Sequence, residues 1–210
     1  WNADDGSLIR DFMSHQTKCN NGFAIDPADA SLAYLPGHDD WLTRFKIDYA
    51  TGEWKVDAVW PDVPSEMREG LSKPTAIRAN GKLYLASTKT LSVYRLTDDG
   101  SRWIHSSGLI RRTDEKKKTT AYFWNDANNN GAPDETELRQ VPLPGQVVTY
   151  HGQRWLPDFS YISPNQGGKD IWTFSPDGFD PHGNPIFTRC NKIITDPIFE
   201  ARAKGPVNAL

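Results

Sequence analysis

Gly22-Phe23-Ala24-Ile25-Asp26-Pro27 and Pro74-Thr75-Ala76-Ile77-Arg78-Ala79-Asn80-Gly81 open two stretches of the 210-residue chain that read as copies of one unit. After the first come Leu32 to Leu35, Trp41 to Ile47, a Thr51-Gly52 turn and an alternating run from Trp54 to Trp60. After the second come Lys82 to Ala86, Leu91 to Leu96, an Asp99-Gly100 turn and Trp103 to Ile110. Ile25 and Ile77 hold equivalent places, 52 residues apart. Short runs of β-branched and aromatic residues, punctuated by Gly, Asn and Asp, mark strands and tight turns. Four strands recurring at about 40–50 residues form the pattern of propeller blades, units that cannot bury both faces alone and so stack on their neighbours.

The same reading extends outward. Trp1 to Phe12 resembles the last hairpin of an earlier blade, and Asp170 to Gly178 followed by Gly183 to Phe187 resembles a hairpin of a later one. The predicted fold is all-β, a β-propeller or partial propeller of about four four-stranded blades. It forms a single domain over residues 1–210, interrupted by an insertion at 126–137. Helix signals are scarce: Asp62 to Leu71, with Pro64 early, is the best, and Ala201 to Lys204 is weaker.

The insertion carries the most specific chemistry in the chain. Residues 126–137 read Asp-Ala-Asn-Asn-Asn-Gly-Ala-Pro-Asp-Glu-Thr-Glu, the spacing of a twelve-residue calcium loop. Asp126, Asn128 and Asn130 supply side-chain oxygens at positions one, three and five, and Gly131 permits the sharp turn at six. Ala132 offers its carbonyl at seven, Asp134 binds directly or through water at nine, and Glu137 closes the shell at twelve. A hard cation needs six to eight oxygens, and this spacing wraps them around one point. Upstream, Thr119 to Trp124 has strand composition, and Pro142 stops any helix downstream. The site is therefore expected to tie a strand to a short helical turn or to another strand, as a structural staple. A sensor would need paired helices that swing open. Neutral Asn at positions three and five places the affinity near the weak end, roughly 10⁻⁵ to 10⁻³ M.

With its Gly-Phe-Ala-Ile-Asp-Pro strand, Lys82-Leu83-Tyr84-Leu85-Ala86 and the loop at Asp126–Glu137, the chain resembles secreted bacterial β-propeller proteins of the NHL-like and quinoprotein-like kind. The resemblance implies a secreted or cell-surface location, extracellular or periplasmic, and Ca2+ as the bound ion. Residues 126–134 also match the shorter loop of integrin-type propellers, in which Glu137 would be surplus. Propellers of these families have six to eight blades, so further blades or neighbouring domains are expected beside this chain. It opens on Trp1 with no signal-peptide pattern, as a mature or partial product would.

Composition excludes several classes. A hydrophobic fraction of 37% is enough for a packed core. The formal net charge of −3, with acidic and basic residues interspersed, leaves no footprint for nucleic acid. No apolar run reaches the roughly 18 residues of a membrane span. Arg111 to Lys118 is basic but broken by Asp114 and Glu115, as a solvated connector between blades would be. Cys19 and Cys190 are either two thiols or a bridge worth at most about 5 kcal/mol. His15 and Cys19 lack the second pair a zinc site needs.

Two loop clusters are candidate ligand sites. His38, Asp39 and Asp40 stand together before Trp41, and His151, Arg154 and Trp155 form a second group near Asp158. Trp60 and Trp155 are candidates to stack on sugar rings. The function read from these features is a calcium-stabilised extracellular module that binds a protein or glycan, or a scaffold. The alternative is a propeller enzyme acting on a polysaccharide or small metabolite through a His/carboxylate loop site. No nucleophile elbow or phosphate-binding glycine loop is present in the sequence.

Overall fold

The structure is a computed structural model that describes residues 4–5, 7, 22–36, 41–65, 67, 71, 74–88, 90–116, 119–141, 154–164 and 170–194. Its architecture is all-β. The first repeat forms an antiparallel meander of β1 (Ala24–Asp26), β2 (Asp29–Pro36), β3 (Leu42–Ile47) and β4 (Trp54–Trp60), in that order across the sheet. The second forms β5 (Thr75–Ala79), β6 (Lys82–Ala86), β7 (Ser92–Leu96) and β8 (Trp103–Thr113) in the same sequential order. The four-strand unit inferred from the repeat is present in both.

The second sheet then goes further than a four-strand unit. β8 pairs with β7 along its first half, and from Ser107 onward with β9 (Thr119–Asn125), which pairs in turn with β10 (Leu138–Val141). This makes six strands, with the 126–137 loop closing the β9–β10 hairpin. Arg111 to Thr113, expected in a connector between blades, instead continue β8 and pair with Ala121, Thr120 and Thr119. Gly108 lies where the two pairings meet. A Cβ there would come within 3.1 Å of the Leu91 carbonyl oxygen, so only glycine fits without backbone movement.

The third sheet holds β11 (Arg154–Trp155), β12 (Tyr161–Pro164), β13 (Asp170–Phe174) and β16 (Asn191–Ile194). The partner of β13 is β16, from Asp170↔Ile194 to Thr173↔Asn191, and not the 183–187 stretch. Residues between β13 and β16 form an excursion with its own two-stranded ribbon, β14 (Gly178–Phe179) and β15 (Pro185–Ile186). Three prolines and two glycines between 176 and 185 keep these strands to two residues each.

Strand periodicity explains how the sheets stack. Along β6, Leu83 and Leu85 enter one core with Tyr34, Trp60 and Trp103, while Tyr84 and Ala86 enter another with Phe123, Trp155 and Phe174. Ile77 and Ala76 divide likewise on β5, and Val93 and Tyr94 on β7. A strand buried on both faces reads as a continuous apolar run, because successive side chains point to opposite sides. The middle sheet is thus sandwiched between the first and the third. β1 lies against β5, and across that approach Arg78 grips the buried Asp26 through Nε (3.1 Å) and Nη2 (2.7 Å). Burial alone would raise the Asp26 carboxyl, but the Arg78 and Ala28 bonds outweigh it and hold the group below its ordinary value.

The expected helix at 62–71 falls only partly within the described residues. Met67 N–H donates to the Pro64 carbonyl and Leu71 N–H to the Met67 carbonyl, and Val63, Met67 and Leu71 share the first core. No helix among the described residues is long and apolar enough to cross a membrane. Cys190 packs against the second core, and burial pushes its thiol up to about 12; Cys19 lies outside the described residues.

Candidate functional site

The 126–137 loop is closed by its two strand ends, where Trp124 faces Leu138 in the β9–β10 register. Asp126 is fully buried at the end of β9. Its Oδ1 accepts the Asn130 N–H (2.8 Å) and its Oδ2 the Gly131 N–H (3.0 Å). Those bonds require the chain to double back, which Asn129 (φ 59) and Gly131 (φ 75) achieve in the left-handed region. Asn and Gly are the residues that tolerate that conformation best. Asn128 Oδ1 accepts the Asn130 N–H (3.0 Å), and Asn130 Oδ1 accepts the Ala132 N–H (2.8 Å). A one-turn 3-10 helix, Glu135–Glu137, then brings Glu137 back toward the start of the loop. Its Oε1 accepts the Asn128 N–H (3.0 Å), and its Oε2 accepts the Trp124 indole N–H (2.7 Å) and the Asp134 N–H (3.3 Å).

The donor set is oxygen-only and carries three carboxylates. In the arrangement shown, each meets N–H donors: Asp134 Oδ2 accepts Asn128 Nδ2 (2.5 Å) and Asn130 Nδ2 (3.0 Å). Among the described residues, no three His, Cys, Asp or Glu side chains gather as a metal-binding group. To take a cation, both amides must turn their oxygens toward it, releasing Asp134. Burial raises the Asp126 carboxyl, the Gly131 and Asn130 N–H bonds oppose the rise, and the nearby Glu137 charge adds to it. A buried carboxylate held above its ordinary value gains most from a nearby positive charge. The chemistry of the residues fits a hard divalent ion.

The loop's surroundings include residues that sequence reading did not single out. Arg95 on β7, 5% exposed, donates from Nη2 to Asn129 Oδ1 (3.2 Å) and from Nε to Asn184 Oδ1 (3.1 Å). Asn184, fully buried, donates to the Asp126 carbonyl (2.6 Å) and to Asp180 Oδ2 (3.1 Å). No local pattern marks either one; only the alternation of β7, which turns a cation toward a core, was available as a signal. Beside the loop lies an open cavity of about 530 Å³ between Phe123, Asn128, Glu137, Arg139 and Phe187.

The other sequence candidates separate. His38, Asp39, Asp40 and His151 lie outside the described residues. Arg154 is exposed on β11. Trp155 belongs to the second core at 2% exposure, with its indole N–H donating to the Ser87 carbonyl (3.0 Å), so no ring face is left for a sugar. Trp60 is 5% exposed and donates to the Gly100 carbonyl (2.9 Å), packed edge-to-face on Trp103. Both are structural, because rings of this size bury too much apolar area to be left at a loop when a core is in reach.

No family model matches the chain, and no curated protein matches it. Among solved structures, it is similar to a streptogramin B lyase, with 10% identity and a TM-score of 0.43 over 88% of this chain and 57% of the other. It is also similar to virginiamycin B lyase from Staphylococcus aureus, at 14% identity and a TM-score of 0.37, covering 82% and 66%. A third is the dihydro-heme d1 dehydrogenase NirN, at 12% and 0.32, covering 83% and 46%. The chain thus spans about half to two thirds of the length of these structures. At these TM-scores the likenesses bear on neither activity nor ligand.

Proposed function

We propose that this chain is a calcium-stapled part of a β-propeller that serves outside the cell as a binding or scaffold module for a protein or glycan. The carrying observation is the 126–137 loop, whose buried Asp126 carboxylate, two Asn amides, Asp134 and Glu137 are threaded on one doubled-back turn between paired strands. Asp126, Asn128, Asn130, Asp134, Glu137 and the Ala132 carbonyl would hold the ion. The cation would supply structural closure, since two strands and a 3-10 turn offer no helix pair to swing. The propeller part of the reading is supported by the first two meanders, which share a core and bring their first strands, β1 and β5, together. Val56 and Val59 on β4 are half exposed, at 54% and 50%, as surface awaiting a further blade or partner would be.

Calorimetric titration of calcium into metal-stripped protein, followed by thermal melting, tests this. About one equivalent bound, in the roughly 10⁻⁵ to 10⁻³ M range, with a rise in Tm, is expected. No binding up to several millimolar overturns the calcium reading.

A further inference from the structure

The excursion between β13 and β16 leaves its own sheet, and its tip docks on the middle one. The Tyr84 hydroxyl on β6 donates to the Gly183 carbonyl (2.6 Å), and Arg95 on β7 donates to Asn184. The tip is pre-shaped for this contact: Asp180 Oδ1 accepts both the His182 N–H (2.9 Å) and the Asn184 N–H (2.8 Å). Gly183 sits at φ +85, where a Cβ would come within 2.5 Å of the Lys82 side chain.

At the centre is Asn184. It uses both amide hydrogens, on the Asp126 carbonyl and on Asp180, and its oxygen takes the Arg95 guanidinium. Arg95 completes the circuit by binding Asn129, which lies between two of the loop's oxygen donors. A buried amide with all these bonds made is costly to undo, since removing it strips the Asp126 carbonyl of its shorter bond and leaves the Arg95 Nε–H without its acceptor. The excursion is therefore bonded to the backbone of the residue that begins the loop and, through Arg95, to the loop's turn.

We propose that Asn184, seconded by Arg95, is a positioning residue for the loop's cation, and that the cation clamps the Gly178–Ile186 excursion of the third sheet onto the second. The clamp rests on the calcium reading above. Its logic is linkage. An ion that fixes the Asp126–Asn130 backbone favours the docked excursion, and the docked excursion tightens the ion by the same factor. Partners one bond beyond the ligands commonly govern metal affinity by about 10–100-fold.

The test is amide hydrogen exchange of wild type, Asn184→Ala and Tyr84→Phe, with and without calcium, alongside calcium titration of each. In wild type, calcium is expected to slow exchange in both 126–137 and 178–186. Asn184→Ala is expected to bind calcium about tenfold more weakly, with no slowing in 178–186. Tyr84→Phe removes one docking bond but leaves Asn184 in place, so by the same linkage it is expected to weaken calcium only about twofold, less than Asn184→Ala, and to keep the slowing in 178–186. Protection confined to 126–137 in wild type overturns the clamp even if no variant folds. So does native calcium affinity in Asn184→Ala. Absence of calcium binding by wild type removes the underlying calcium reading, a result distinct from these.

Discussion

The two seams that flank the middle sheet are built differently. Between the first and second sheets, strands of two equivalent repeat units meet in a mainly apolar contact, whose polar links include the Trp60 indole bond to the Gly100 carbonyl and the Asp26–Arg78 pair on equivalent first strands, 52 residues apart. Between the second and third sheets, the core is crowded with rings. Trp155 lies 5.0 Å from Tyr161 and 5.6 Å from Phe174, and Phe123 lies 5.0 Å from Phe174. That seam is also tied by two non-repeating excursions, the 126–137 loop and the 178–186 ribbon, joined through Asn184. Where the sequence repeats, apolar strand faces make most of the contact. Where it departs from the repeat, polar bonds hold elements that strand pairing does not.

The ring-packed seam is most sensitive at Trp155. Trp155→Ala is expected to cost about 3–5 kcal/mol in urea unfolding followed by circular dichroism, as large aromatic truncations in a core do. It also removes the indole bond to the Ser87 carbonyl. A loss below about 1 kcal/mol would mean that the aromatic seam adds little to stability.

The repeat-built seam is best probed at the Asp26–Arg78 ion pair. Arg78→Met leaves the Asp26 carboxylate buried without its cation and is expected to cost about 2 kcal/mol at neutral pH. That is less than a fully buried pair, because the Arg78 side chain stays 42% exposed. Asp26 has a depressed folded-state value, so its contribution is fully present above the unfolded carboxylate value of about 4 and fades as pH falls through the folded one. The gap between wild type and variant should therefore narrow below about pH 4. A gap independent of pH would assign the effect to packing.

A smaller effect is expected at Gly131. Its φ of +75 penalises any side chain, while the nearest atom to an added Cβ is 4.0 Å away, so Gly131→Ala should cost about 1–2 kcal/mol from backbone strain alone. The loss should appear in thermal melts of metal-free protein.

Legibility in the sequence followed the same divide. β4 and β6 fall at Trp54–Trp60 and Lys82–Ala86, the limits read from alternation and turn residues. The loop was legible because its oxygen donors recur at fixed local spacing. The pairing of β13 with β16 was not, since a 16-residue excursion separates them and its two-residue strands carry too little pattern. Trp155 read as a loop aromatic because Gly152 and Asp158 flank it, yet packing decides its role. Arg95 and Asn184 matter through contacts 89 residues apart, which local patterning does not encode.

The most direct measurement is terbium luminescence sensitised by Trp124, whose indole N–H already donates to Glu137 at 2.7 Å. Terbium stands in for calcium on oxygen ligands. The expected result is emission that saturates near one equivalent, is displaced by calcium and is lost in Glu137→Gln. Emission that is absent, or unchanged in Glu137→Gln, would contradict a cation held by the 126–137 loop.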